Sequence, residues 1–522
     1  MGDVCGDRPN IILIMADDMG YSDIGCYGGE IATPNLDRLA ANGLRFTQFY
    51  NTARCCPTRA SLMTGLYPHQ TGMGWMTASN LGYEGYRGDL NNRCVTIAEV
   101  LKQRGYSTYM SGKWHVTYNG YFDGPKYSWP CQRGFDRFYG TLSGGGNYFD
   151  PTALTRDNTR IKAQAEGYYY TDAISDNAAK FIREHGASKG DEPYFLYVAY
   201  TSPHWPLHAN SHDIERYRGK YIKGWDALRA ERHKRMIEMG VVEESWEITP
   251  RDVKAKSWGE VDAVEKELWD LRMAVYAAQI DCMDQGIGRV VAAAEKTGKF
   301  NNTLIMFLSD NGGCAENISR AEQDVKLLGT EDSFESYRVN WANASNTPFR
   351  LYKHWVHEGG IATPLVVHWP EGFKARGEVR HQPGHVIDIM ATCVDIAGVK
   401  YPSKHNGNKI IPLEGKSLVP AFNNWAIERE AIYWEHEGNR AIRVGKWKLV
   451  AKEIDGQWEL YDLEADRTEL NDLAKWYPER VKKLAEMWQR WAERSNVLPL
   501  DGRGWNERLE SDKGPPLAEG KI

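Results

Sequence analysis

Apolar residues along this chain fall into short continuous runs, and most of those runs end in polar clusters. Pro9 to Ala16 leads into Asp17-Asp18, and Thr303 to Leu308 leads into Ser309-Asp310-Asn311-Gly312-Gly313. Tyr194 to Thr201 leads into Ser202-Pro203-His204, and Tyr106 to Ser111 leads into Gly112-Lys113-Trp114-His115. Runs of this kind, too short for helices and without alternation, predict strands buried on both faces of a sheet covered by helices. Phe46 to Tyr50 and Ile361 to Trp369 read as further strands. Between the runs lie helical patterns. One opens at Thr33, as N-cap, with Pro34 in the first turn, and stops at Asn42-Gly43. Another opens on a capping box, Thr96-Ile97-Ala98-Glu99, and ends near Gly105. Thr171 to His185, Ala274 to Lys299 and His385 to Ala397 carry helical patterns too, and the charged stretch 209–270 reads as a largely helical, solvated surface. The expected fold is α/β: a large mixed, mostly parallel sheet sandwiched by helices.

The pattern changes near residue 425. Short strands follow at close spacing, Ala431 to Trp434, Arg440 to Val444, Trp447 to Lys452 and Trp458 to Asp462, which predicts a smaller antiparallel sheet. A helix from Pro478 to Arg494 carries Val481, Leu484, Met487, Trp488 and Trp491 at helical spacing. The expected division is residues 1–425 and 426–522. Residues 116–170, with Gly144-Gly145-Gly146, read as loops over the strand ends, and 315–346 as a long insertion of the functional kind.

Polar groups at strand ends are where open α/β sheets bind ligands. Asp17-Asp18 and Asp310-Asn311 stand at two such ends, although an Asp pair also suits a plain turn. Lys113 and His115, two apart, leave their strand on one side; a solvated lysine and a core histidine are the bland alternative, and a core histidine is equally open for His204. Cys55-Cys56-Pro57-Thr58-Arg59 follows a strand and runs into a helix with Pro57 at its start, so Cys55 lies just ahead of a helix N-terminus, where negative charge is favoured. Arg59 can fold back over the same spot. A buried structural cysteine pair is the competing reading.

Composition narrows the picture. The net charge of -6, with 26% charged residues and no basic block, argues against a nucleic-acid partner. No apolar run reaches the roughly 18 residues of a membrane helix. Nine scattered cysteines imply neither a disulfide framework nor a zinc site. The 19 Trp and 28 Tyr suit sugar stacking as well as core packing.

The run Cys55-x-Pro57-Thr58-Arg59, continued by Leu62-x-Thr64-Gly65, resembles the signature of the formylglycine-dependent (type I) sulfatases, of alkaline-phosphatase-like fold. The opening Pro9-Asn10-Ile11 to Asp17-Asp18, the block Gly112-Lys113-Trp114-His115 and the Pro203-His204 pair resemble further family blocks. The resemblance implies that Cys55 is oxidised to formylglycine by a maturation enzyme, with Cys56 in the variable slot. It implies one divalent cation, usually Ca²⁺, on Asp17, Asp18, Asp310 and Asn311 together with residue 55. A set of oxygen donors also suits a hard cation better than zinc. Arg59, Lys113, His115, His204 and Lys353 then complete the catalytic set. In the family mechanism the hydrated aldehyde attacks sulfur, His204 protonates the leaving alcohol, Arg59 and Lys113 hold the formylglycine oxygens, Lys113 and Lys353 bind the sulfate, and His115 assists release.

Substrate and location follow from the same resemblance. Gly72 to Thr77 and Asn346 to Arg350 resemble the arylsulfatase-like branch of bacterial carbohydrate sulfatases. That branch implies a sulfated sugar, such as O-sulfated galactose or N-acetylgalactosamine of host glycans. An arylsulfatase, a phosphate or phosphonate monoester hydrolase of the same superfamily and a non-catalytic glycan-binding protein are the other readings. Glu335, beside Phe334 and Tyr337, is expected to accept a sugar hydroxyl, and Trp505, in the Gly-rich tail, to stack on the ring. Met1 to Arg8 has no apolar segment, which leaves a cytoplasmic protein or a removed signal peptide as the two readings. The resemblance to exported bacterial enzymes nevertheless implies a periplasmic or otherwise exported protein whose signal peptide is not part of this sequence.

Overall fold

The computed structural model describes residues 8–163, 166–319 and 325–516. The lead-in up to residue 7, part of the 315–346 insertion and the last residues of the tail lie outside the described residues. Among those described, eleven strands form one sheet: β1 (Asn10–Ala16), β2 (Leu44–Tyr50), β3 (Ser107–Gly112), β4 (Arg137–Thr141), β5 (Leu154–Arg156), β6 (Thr159–Arg160), β7 (Tyr194–Ala199), β8 (Thr303–Ser309), β9 (Ala362–His368), β10 (Glu378–Arg380) and β11 (Gly384–His385). Their order is β10-β2-β9-β8-β1-β7-β3-β4-β5-β6, with β11 also paired to β2. The five strands β8, β1, β7, β3 and β4 are parallel, and β9 is antiparallel to both β8 and β2. The sheet is therefore mixed and mostly parallel, as the apolar runs predict.

Side chains alternate across a strand, and β1 serves two cores. Ile12 and Ile14 face the core shared with helices Tyr170–Lys189 and Ala263–Glu295, while Ile11, Leu13 and Met15 face the core shared with helices Cys55–Thr64 and Ile387–Ile396. The Thr96 capping box forms: Thr96 Oγ1 accepts from the Glu99 N–H, and the Thr96 N–H donates to Glu99 Oε2.

Several expected boundaries move. The long helix starts at Ala263, with Asp262 accepting from the Glu265 N–H; its first turns are too charged for the apolar pattern to show. Thr33 does not cap with its side chain, because its Oγ1 accepts from the Gly25 N–H and donates to Asp37. The 116–170 stretch includes β4, β5 and β6, and the insertion ends in a helix, Arg338–Ser345. Cys55 is the first residue of its helix, not the residue before it, and Pro57 is the third.

The C-terminal strands Ile432–His436, Asn439–Val444, Trp447–Ala451 and Glu459–Asp462 form a separate antiparallel sheet in that order. Helix Pro478–Arg494 packs on it through Leu484, Met487, Trp488 and Trp491. A buried ionic cluster ties this sheet to the larger one. Glu358 meets Lys448 Nζ at 2.9 Å and Arg467 Nε at 3.1 Å, and accepts from Tyr50 OH at 3.0 Å. Glu469 receives Lys448 at 2.8 Å and the Glu358 N–H at 3.0 Å. Burial alone would raise the Glu358 carboxyl, but Lys448, Arg467 and Arg443 outweigh it and hold it at about 2, below the ordinary 4.5. A depressed folded-state value contributes stability above the unfolded value that is lost as pH falls through the folded one, so this contribution should disappear between pH 4.5 and 2. Glu358→Ala leaves Lys448 and Arg467 buried beside one carboxylate fewer. Denaturant titration at pH 7 is expected to show a loss of about 3–5 kcal/mol, and a loss below about 1 kcal/mol would contradict this account.

Candidate active site

Parallel strands bring their C-terminal ends to one edge, and that edge gathers the expected residues. β1 delivers Asp17 and Asp18, β8 Asp310 and Asn311, β3 Lys113 and β7 the loop to His204; β2 runs in the same direction and feeds the loop to Cys55. Lys353 comes from the segment before β9, which enters the sheet from this same edge because it runs the other way. Asp18 and His115 hold left-handed backbones, φ 63° and 54°, a cost that clusters at functional sites.

The groups interlock. Lys113 Nζ donates to Asp17 Oδ2, and Lys353 Nζ donates to Asp18 Oδ2 at 2.9 Å. Arg59 grips Asp310 Oδ2 through Nε at 3.1 Å and Nη2 at 2.8 Å, and donates to the Lys113 carbonyl at 3.0 Å. Asn311 Nδ2 donates to Asp18 Oδ1 at 2.7 Å. His204 Nδ1 lies 2.5 Å from the Trp205 carbonyl and so carries the proton, which leaves Nε2 3.4 Å from both Lys353 Nζ and Asp18 Oδ2. Burial pushes both His204 and His115 down to about 4. Cys56, which fills a variable slot in the sequence pattern, touches the site as well: its Sγ is 3.2 Å from His115 Nε2. Hydrogen bonding from Cys56, helped by Lys113 and His115, holds the Cys55 thiol well below its usual range against the opposing effect of burial.

At two of the three carboxylates the neighbouring cations do not offset burial. Burial raises Asp17 despite Lys113 and Arg59. Burial and then the Asp17 charge raise Asp310 well above the carboxylate range. Asp18 is lowered, because Lys353 and His204 outweigh its burial. Among the described residues, Asp17 Oδ1 and Asn311 Oδ1 are buried with no hydrogen-bond partner, Arg59 Nη2 standing 3.8 Å from the former. Crowded carboxylates and two orphaned oxygens, all hard donors, fit a divalent cation such as Ca²⁺.

The site opens into a cavity of about 1090 Å³ lined by Cys55, His115, His204 and Lys353 at one end. The Gly144-Gly145 loop closes over both imidazoles: a Cβ on Gly144 would lie 2.5 Å from His115 Cε1, and one on Gly145 2.7 Å from His204 Cε1. Only glycine permits that approach. The tail folds back, so Trp505 lines the cavity, 44% exposed, with its ring 5.1 Å from that of Trp75.

Glu335 is not among the lining residues and has to be corrected. It is buried, with Arg272 at 3.3 Å and Arg338 at 3.2 Å. The insertion reaches the cavity instead through Glu316 and Ile318. Arg54, Glu316, His354, Glu437 and Arg508 are lining residues that the strand-end reading does not reach. Arg54 and His354 each adjoin an expected residue, and that adjacency is the only signal the sequence holds for them.

These features define a hydrolase of the sulfatase class, and comparison with known proteins agrees. Residues 9–399 match the family model for Sulfatase, and residues 349–495 match that for the C-terminal part of N-sulphoglucosamine sulphohydrolase. The chain belongs to the sulfatase family and is a sulfuric ester hydrolase of alkaline-phosphatase-like fold. It is 33% identical to an uncharacterized sulfatase of Schizosaccharomyces pombe over 94% of each chain, and 33% identical to an arylsulfatase of Klebsiella aerogenes over 79% of this chain and 91% of that one. Among solved structures, Ps i-CgsB in complex with k-i-k-neocarrahexaose is 28% identical, with a TM-score of 0.70 over 97% of this chain and 98% of the other. No helix among the described residues is long and apolar enough to cross a membrane.

Proposed function

We propose that this protein removes sulfate from a sulfated sugar, such as an O-sulfated galactose or N-acetylgalactosamine, with formylglycine formed from Cys55 as nucleophile and Ca²⁺ as the bound cation. The observation that carries the reading is the convergence on Cys55 of two lysines, one arginine, two histidines and an acid set with orphaned oxygens. A maturation enzyme is its required partner, and an exported location fits such a substrate.

When present, the aldehyde and the cation supply a hydroxyl nucleophile and a Lewis acid for the sulfate oxygens. Asp17, Asp18, Asp310 and Asn311 would hold the cation. Lys113 and Lys353 are placed to neutralise the sulfate, which spreads its charge over the non-bridging oxygens. Arg59 fixes Asp310 and the Lys113 backbone. His204, with Nδ1 committed to a carbonyl, can offer a proton only from Nε2, the nitrogen that faces Lys353. Burial resists the imidazolium, and an incoming sulfate counters that resistance. His115 lies across the site against Cys56, suited to taking a proton when sulfate departs.

General-acid help matters most for a poor leaving group. His204→Ala is expected to lower kcat on a sugar sulfate by about 10²–10⁴-fold, and on 4-nitrophenyl sulfate, whose phenolate leaves unaided, by far less. Equal losses would remove His204 as the acid. The substrate itself is tested by screening matured enzyme on sulfated monosaccharides that differ in sugar and sulfate position, with an aryl sulfate alongside. Turnover confined to the aryl sulfate would contradict the sugar reading.

A further inference from the structure

Away from the sulfate end, the cavity wall carries more negative than positive charge. Three guanidinium groups line it, and each already holds a carboxylate. Arg54 Nη1 lies 3.0 Å from Glu316 Oε1, Arg503 Nη2 2.8 Å from Asp501 Oδ2, and Arg508 Nη1 3.0 Å from Glu437 Oε1. Two further acids on the wall, Glu453 and Asp455, form no ion pair within 4 Å among the described residues; the Arg440 guanidinium, bound to the Ile454 and Gly456 carbonyls, lies near Asp455 and offsets only part of this charge. A second sulfate or a uronate on the leaving group would enter this wall against a net negative charge, with every arginine committed. Hydroxyl groups fare differently. Paired carboxylates and guanidinium groups offer them acceptors and donors side by side.

Glu316 stands nearest the chemistry. Its Oε2 accepts from Trp205 Nε1 at 2.8 Å, its Oε1 meets Arg54, and its side chain remains 30% exposed. Burial would raise it, but Lys353, Arg54 and His204, in that order, outweigh burial and keep it ionised, an acceptor only. Two of those three groups belong to the sulfate end, so Glu316 sits where the leaving group begins.

We propose that this wall selects a neutral, hydroxyl-rich leaving group bearing no second anion, with Glu316 as the acceptor for the hydroxyl beside the scissile ester. The inference rests on the sulfated-sugar reading above and adds what that sugar must lack.

The test measures kcat/KM of matured wild-type and Glu316→Gln enzyme on three substrates. They are the best monosulfated monosaccharide, the same sugar with a second sulfate on the adjacent carbon, and 4-nitrophenyl sulfate. The second sulfate is expected to lower wild-type kcat/KM at least about tenfold. Glu316→Gln is expected to reduce the ratio of monosulfated-sugar to aryl turnover about tenfold, as loss of one charged hydrogen bond would, and to narrow the gap between the mono- and disulfated sugars. Asp455→Asn, at a position without an ion pair, should narrow that gap too and keeps the test alive if the Glu316 variant misfolds. Equal or faster turnover of the disulfated sugar by wild-type enzyme overturns the proposal, as does an unchanged sugar-to-aryl ratio in Glu316→Gln. Turnover of the aryl sulfate alone overturns it while the sulfatase chemistry stands. If matured protein hydrolyses no sulfate ester, the reading beneath it falls and the proposal with it.

Discussion

Cys55→Ala is expected to abolish sulfate-ester turnover, with a loss of roughly 10³-fold or more, because removing a nucleophile removes a covalent route that neighbouring groups do not replace. Cys55 is the position two before Pro57 and four before Arg59, the spacing of the sulfatase signature. It is also the cysteine whose thiol the site holds down, whereas burial pushes Cys56 well up. Peptide mass spectrometry of protein made with a maturation enzyme should find the aldehyde at 55 and an unmodified cysteine at 56. In Cys56→Ala the aldehyde should still form at 55. An aldehyde at 56, or a Cys55→Ala enzyme within tenfold of wild type, would overturn the assignment.

Chelation is expected to have an effect of similar size. Asp17, Asp18 and Asp310 lie within one buried cluster, and Lys113, Lys353 and Arg59 do not relieve all of the crowding. Exhaustive removal of divalent cations should lower turnover by about 10³-fold, the scale of losing a principal source of charge stabilisation, and Ca²⁺ should restore it better than Zn²⁺. A readout independent of turnover is available. A ligand that binds only the folded state adds about 4 kcal/mol at a thousandfold excess over its Kd, so Ca²⁺ should raise the melting temperature of the chelated protein, and should fail to raise it in Asp310→Ala. Full activity after exhaustive chelation, or the same calcium shift in the variant, would contradict the cation site.

The parts of this site that were legible in the sequence share one physical origin. An apolar run buried on both faces has a definite end, and in a parallel sheet those ends meet. Pattern therefore put Asp17, Asp310, Lys113 and His204 at strand ends, and the resemblance to the sulfatase family, not the pattern, favoured a shared site over a plain turn, a solvated lysine or a core histidine. Glu335 shows the limit. One partner, Arg338, stands three residues on, but the other, Arg272, lies 63 positions away on the long helix, and a neighbouring arginine alone does not tell a buried acid from a lining one. Glu316 gains its place from Arg54 and Trp205, two residues carried by other segments. Trp505 was named on the condition that the Gly-rich tail folds back, and it does line the cavity, a return that no local pattern dictates. Strand ends follow from local pattern, whereas a cavity wall assembled from many distant segments does not.

The proposed function turns on an aldehyde at position 55, set among this constellation of strand ends. The most direct test is to prepare the protein at several degrees of maturation, measure the fraction of aldehyde at position 55 in each by peptide mass spectrometry, and assay each preparation on a sulfate ester. The account predicts specific activity proportional to that fraction, with a line passing through zero where residue 55 is still a thiol. Activity that persists undiminished in fully unconverted protein, or that does not change with the fraction converted, would contradict it.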